Sequence, residues 1–449
     1  MKTTRRIFLK SGAMALASVG VIPALGPEFL RRAVWADDAK GTGRRKTLVC
    51  IFLRGAVDGL SVVVPHGDPD YYKLRTVGAG GIAIARTGQD GVVDLDGKFG
   101  LHPALSMLKP IYDAGHMGAI HAVGSPNPTR SHFDAQDYME SASPGNKGIR
   151  TGWLARAIAA CPEDARNGAK ISTVSLTAQV PRSLDGDRDA LAIPNLQTFG
   201  IGRDGRAMPI GGGGKGKAKG GAAGAGVGMG DTSGGFEALY AGAVGDVLHG
   251  AGKETFDAVK TLNGLDPARY RPAKGADYSR SPLGQSLQQI AQLIKADLGL
   301  EVAFAEAGGW DTHVGQGGAQ GNLARRLSEL GQALAAFYTD LGDRMGDVTV
   351  LTMSEFGRTA RQNGDGGTDH GHGTCFLALG GDVAGGKVLG EWPGLAPNQL
   401  NEGRDLAVTT DFRRIFGEVA NKQLGVTDFK SVFPEFSLSA RDFRGVLKS

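Results

Sequence analysis

Residues 301–358 read EVAFAEAGGWDTHVGQGGAQGNLARRLSELGQALAAFYTDLGDRMGDVTVLTMSEFGR and set the fold class. Glu301–Ala305 and Val348–Met353 are short, nearly continuous apolar runs, the pattern of strands buried on both faces. Between them Leu323, Leu327, Leu330, Leu334, Phe337 and Leu341 alternate steps of four and three. That spacing puts a single apolar stripe on a long amphipathic helix. Strand, helix and strand in this order imply a mostly parallel sheet.

The same signals recur outward along the chain. Thr47–Leu53, Gly118–Val123, Ile171–Thr177 and Cys375–Leu379 are further strand candidates. Ser281-Pro282 is an N-cap with proline at the first helical position, ahead of Leu283, Leu287, Ile290 and Ile294 at helical spacing. The expected architecture is therefore α/β: a doubly wound, mostly parallel sheet with helices on both faces. Such sheets bind ligands beyond the carboxyl ends of their strands.

The composition agrees. Of 449 residues 41% are hydrophobic and 21% charged, which is globular rather than disordered or fibrous. Cys50 and Cys375 sit in apolar, strand-like runs and are expected to be buried and inert; three cysteines exclude a fully paired framework but leave one bridge open. The net charge is +4, yet Met1–Ala36 holds Lys2, Arg5, Arg6, Lys10, Arg31 and Arg32 against Glu28 alone. Without that segment the chain is close to neutral, so its basicity gives no support to nucleic-acid binding.

Met1–Ala36 is the strongest short signal. Thr4-Arg5-Arg6-Ile7-Phe8-Leu9-Lys10 resembles the twin-arginine export motif, an uncharged stretch runs from Ser11 to Pro27, and Val34-Trp35-Ala36 offers small residues at a cleavage site. Residues 1–36 are read as a twin-arginine signal peptide, with an uncleaved anchor as the alternative. The mature protein is expected to be periplasmic or extracellular, brought there folded by the translocation machinery. No other run is long and apolar enough to cross a bilayer.

Gly211–Gly235 differs in kind, with 13 glycines in 25 residues and Lys215, Lys217 and Lys219 among them. It is expected to be a disordered insertion within a domain spanning 37–449. It has neither a strand before it, nor a helix after it, nor a Gly-Lys-Ser/Thr ending, so a phosphate-cradling loop and a nucleotide cofactor are not expected.

Polar residues gather where the strands end. Thr47–Leu53 leads into Arg54–Gly59, Gly118–Val123 into Ser125–Asp134, Glu301–Ala305 towards Asp311 and His313, and Val348–Met353 into Ser354–Arg358; Thr368–Thr374 precedes the last strand. Each piece has a plain structural explanation, such as Asp58-Gly59 as a turn. Taken together, the carboxylates and imidazoles suit one or two divalent ions, Zn²⁺, Mn²⁺ or Mg²⁺. His66, His102, His116, His121 and His249 are assigned to surface or satisfied-core positions.

Three blocks, Trp310-Asp311-Thr312-His313, Ser354-Glu355-Phe356-Gly357-Arg358-Thr359 and Thr368-Asp369-His370-Gly371-His372-Gly373, resemble a twin-arginine-exported bacterial family catalogued as domain of unknown function fifteen-hundred-and-one. Pro128-Thr129-Arg130-Ser131-His132-Phe133-Asp134 extends the resemblance, which runs from about Arg45 to the C-terminus. The family is placed near the alkaline phosphatases and sulfatases, implying an alkaline-phosphatase-like fold with a bimetal site. On that resemblance Asp58 is the first metal ligand, Asp311 and His313 resemble an Asp…His pair, and His370 or His372 is the last histidine. The superfamily places Asp-His where this chain has Glu355-Phe356. Glutamate ligates but phenylalanine does not, so one metal site is altered, filled by Asp369, or lost.

Ser131 is the expected nucleophile and Thr129 its rival, with Arg130 or Arg358 clamping an anionic substrate. Ser131 also reads simply as a helix N-cap. The sulfatase subtype is not expected, because counting back from Arg130 places Pro126 at the modified position. Two functions fit: an exported metal-dependent hydrolase of small phosphate or related esters, or a non-catalytic exported scaffold with a degenerate metal site, which Phe356 favours.

Overall fold

The computed structural model describes residues 45–162, 169, 171–201, 207–209, 261–262 and 269–448. The expected signal peptide at 1–36 and the glycine-rich insertion at 211–235 lie outside the described residues, as does His249. Lys46–Ser449 forms one compact unit.

Its centre is a nine-stranded sheet: β1 Thr47–Leu53, β2 Met117–Gly124, β3 Thr173–Ser175, β4 Leu191–Ala192, β5 Val302–Ala307, β6 Val348–Met353, β7 Thr374–Gly380, β8 Val388–Leu389 and β9 Thr410–Asp411. The order is β8-β2-β7-β6-β1-β5-β3-β4, with β9 also on β2. β1 pairs in parallel with β5 and β6, and β5 with β3. β7 is antiparallel to both β6 and β2, so the sheet is mixed, though largely parallel.

Why β1 reads as an unbroken apolar run is now visible. All seven of its residues are buried. Val49, Ile51 and Leu53 point into one core and Leu48, Cys50 and Phe52 into the other, because successive side chains alternate across the sheet. The first core is closed by α3 Pro282–Lys295 and α4 Asn322–Leu341, whose leucine stripes face it. The second is closed by α2 Trp153–Ala159 and α5 Phe412–Leu424. A further helix, α1 His132–Ser141, follows β2. Helices thus cover both faces, and truncating a stripe residue such as Leu327 should cost roughly 2–5 kcal/mol.

Ser281 caps α3 as its sequence implies, its Oγ accepting from the Gly284 N–H at 3.1 Å. Cys50, Cys161 and Cys375 are all buried thiols outside any disulfide, so the bridge left open by the sequence is not formed. Burial pushes the Cys50 and Cys375 thiols far up. His102 and His121 are buried, bonded to the Gly318 and Val63 carbonyls, and burial holds both rings neutral with pKa values near 4.

Candidate metal centre

Topology explains why five loops meet. β1, β5, β6 and β2 all run the same way, so their carboxyl ends share one edge of the sheet. β7 runs the other way, so the segment preceding it reaches that same edge. Close backbone approach fixes the loops there. Gly55 has φ +118°, and a Cβ on it would lie 2.7 Å from the Asp311 nitrogen; one on Gly357 would lie 1.9 Å from the Gly373 carbonyl oxygen. Neither position admits a side chain.

At this edge His132, Asp311 and His370 each offer a ligand atom, all within 4.8 Å of one another. His370 Nε2 is 3.4 Å from Asp311 Oδ1, and His132 Nε2 is 3.5 Å from Asp311 Oδ2. His313 joins them, its Nε2 lying 3.1 Å from Asp311 Oδ1 and 2.9 Å from His370 Nε2. Ligand atoms around a tetrahedral ion with bonds of about 2.1 Å are spaced about 3.4 Å apart. The distances from the three rings to Asp311, 3.1–3.5 Å, lie near that value, while the set whose ligand atoms all lie within 4.8 Å of one another is His132, Asp311 and His370.

The far side of each ring tells which nitrogen is available. His132 Nδ1 meets Glu355 Oε1 at 2.8 Å, His370 Nδ1 meets the Arg130 carbonyl at 2.8 Å, and His313 Nδ1 meets Asp369 Oδ1 at 3.1 Å. A carboxylate or carbonyl only accepts, so the hydrogen-bond partners assign the proton of neutral His132 and His370 to Nδ1. Neutral His313 has a carboxylate at each nitrogen, Asp369 at Nδ1 and Asp311 at Nε2, both at 3.1 Å. The Nε2 lone pairs of His132 and His370 then face inward; His370 Nε2 lies 2.9 Å from His313 Nε2, and His132 Nε2 is buried without a hydrogen bond. Inward lone pairs beside an ionised carboxylate suit a divalent cation. Histidine–carboxylate pairs behind a ligating ring are the usual outer shell of such centres.

Electrostatics keep the carboxylates ionised. Burial alone would raise Asp311, but the Arg358 guanidinium on Oδ1 outweighs it and holds the carboxyl low. Burial likewise acts against Glu355, and hydrogen bonds from His132, Gln136 and the Gly55 N–H overcome it. Asn363, followed by His313, holds Asp369 low. Its bond to Glu355 raises His132, whereas burial lowers His370.

Arg358 is also the competing cation. Its buried guanidinium donates to the Ala56, Gly55, Thr368 and Trp310 carbonyls and to Asp311, and its Nη1 lies 3.4 Å from His313 Nε2. It ties the loops together and leaves no free face for a substrate. Arg130 is similarly engaged, by Glu402 and Asp405, each at 2.8 Å.

The other expected site residues divide clearly. Asp58 is fully buried and outside the cluster: Arg75 grips both its oxygens at 2.7 and 2.9 Å, and Ser61 and Gln316 supply two more donors. A carboxylate with this partner has no need of a metal. His372 points to the Ser125 carbonyl at 3.0 Å, so of the two alternatives His370 is the one in the cluster. Glu355 and Asp369 stand behind histidines and orient them. Phe356 forms an apolar wall, stacked on His132 with centroids 4.9 Å apart and 5.1 Å from His370. Ser131 caps α1, its exposed Oγ accepting from the Asp134 N–H at 3.5 Å, and Thr129 Oγ1 accepts from the Ser131 N–H at 3.3 Å.

His132 is the residue the sequence reasoning missed. Its only signal was its place in the block 128–134, beside the serine that drew attention instead.

Residues 253–436 match the model of a family described as protein of unknown function (DUF1501). The matched stretch carries Asp311, His313, Glu355, Arg358, Asp369 and His370 but stops short of His132 and Asp58. No curated protein and no solved structure matches the chain.

Proposed function

We propose that the protein is an exported, divalent-metal-dependent hydrolase of phosphate or related esters, built on an alkaline-phosphatase-like scaffold. One observation carries the reading: three imidazoles, each fixed through Nδ1, turn their Nε2 atoms onto Asp311. His132, His313, His370 and Asp311 would hold one ion, and nitrogen-rich ligation favours Zn²⁺ over Mn²⁺ or Mg²⁺. Bound there, such an ion polarises an ester oxygen and lowers the pKa of a nearby hydroxyl. Ser131 is the proposed nucleophile, ahead of Thr129. It precedes His132 directly and its capping bond is long, while the N–H groups opening α1 favour an anionic group alongside. Phe356 in place of a second histidine argues for one ion rather than two.

A turnover assay over phosphate mono- and diesters with the metal-loaded protein tests this. Ser131→Ala should abolish turnover while the metal stays bound; full activity in that variant would reject Ser131. Export is tested by replacing Arg5 and Arg6 with lysine, which should retain the protein in the cytoplasm.

Arg358 favours a second reading. Its guanidinium already neutralises Asp311, as it would in a scaffold that had exchanged catalysis for binding. In that case the protein carries no metal and hydrolyses nothing.

A further inference from the structure

Beyond the carboxyl ends of β3 and β5 lies a cavity of about 400 Å³. That is within the ~300–1,000 Å³ usual for small-molecule sites. Gly308 and Trp310 line it, and Asp311 of the cluster follows Trp310 in the chain. Its wall is apolar, made by Leu176, Pro194, Leu283, Leu330 and the Trp310 ring.

The charged groups in the lining, and the Thr177 and Ser281 hydroxyls, are engaged elsewhere. Glu306 pairs with Arg54 at 2.6 Å, and Arg326 with Glu329 at 3.1 Å, so the charges balance within the lining and its immediate neighbour. Thr177 Oγ1 donates to the Gln179 carbonyl, Ser281 Oγ caps α3, and Trp310 Nε1 donates to the Ala307 carbonyl. A charged ligand entering here would lose water and find no unpaired counter-charge, which is costly. An uncharged apolar group would pack on Leu176, Pro194, Leu283, Leu330 and Trp310 without unpairing a charge.

We propose that this cavity takes the uncharged, apolar organic group of an ester whose anionic group is held at the His132–Asp311–His370 cluster. The substrate class is thus an aryl or branched-alkyl ester, not a sugar phosphate or nucleotide. The assignment rests on the hydrolase reading for the ester bond, but the cavity's preference stands on its own lining and is tested without catalysis.

The test is calorimetric titration of the full mature chain with 1-naphthol, a neutral aromatic alcohol, and with glucose as a polar control. Naphthol should bind saturably and glucose should not. Ala178→Phe, an exposed change at the lining, should weaken naphthol binding by roughly tenfold or more. Val180→Phe adds the same ring two residues on, outside the lining, and should leave binding unchanged. Absence of naphthol binding, or equal binding by both variants, overturns the assignment. Naphthol binding without any ester turnover upholds the cavity and overturns the hydrolase. Ester turnover with no preference for aryl over sugar phosphates does the reverse.

Discussion

His132 Nδ1 lies 2.8 Å from Glu355 Oε1, joining the first turn of α1 to the loop after β6 across 223 residues of sequence. The bond fixes the ring's orientation and, for a neutral ring, its tautomer. Glu355 is itself held by the Gly55 N–H and by Gln136, so the imidazole is positioned by a carboxylate that cannot turn.

Glu355→Gln should therefore weaken metal binding without removing a ligand. Loss of an outer-shell partner typically costs about 10–100-fold in affinity. Competition against a chelator measures it, with circular dichroism to show the fold retained. An unchanged affinity would mean that Glu355 serves packing alone.

His132→Ala and His372→Ala separate the two imidazole environments. The first should abolish stoichiometric metal, because Nε2 belongs to the set of ligand atoms that lie within 4.8 Å of one another. The second should leave metal content intact, because that ring is bonded to the Ser125 carbonyl instead. Equal loss in both variants would contradict the ligand set.

Metal affinity should fall in acid. Ligating imidazoles must be neutral, and the bond to Glu355 raises His132, so protons compete there at higher pH than at His370, which burial lowers. Below the His132 pKa, each pH unit should cost about tenfold in affinity per proton displaced. Titrations at several pH values, with proton release followed alongside, give the slope; a flat profile would argue against imidazole ligation.

Asp58 predicts a stability effect independent of metal. Its folded-state pKa is depressed: burial would raise it, but Arg75 outweighs burial. A depressed carboxyl contributes stability above its unfolded pKa of about 3.9, and loses it as pH falls through the folded value. Asp58→Asn strands a buried guanidinium and should destabilise by roughly 3–5 kcal/mol at neutral pH. The gap between variant and wild type in urea unfolding should narrow below about pH 4. A chelator should not change it.

The sheet was legible because burial on both faces writes itself as an unbroken apolar run, as in β1, and α4 because its leucines keep helical spacing. The reversal of β7 was not, since an apolar run carries no direction. The edge where these side chains meet followed from strand order, which brings Asp311, His313 and His370 to it. Asp58 looked like a ligand because its answering charge, Arg75, lies 17 residues on, just after the short helix Tyr71–Leu74, with no ion-pair signature in the sequence. Glu355, expected as a ligand, lies 2.8 Å from His132 Nδ1: sequence shows a carboxylate at the site, not the histidine that stands in front of it. His132 was hidden by the serine before it, whose cap role places it on the first turn of α1 facing the cluster.

The most direct test is elemental analysis of the mature protein purified without chelator, then loaded with Zn²⁺, Mn²⁺ or Mg²⁺, beside His132→Ala and Asp311→Ala. The account predicts about one divalent ion per chain in the wild type, by the four-ligand count, and none in either variant. A wild type that holds no stoichiometric ion after loading with all three metals would contradict it, and would leave Arg358 as the only cation on Asp311.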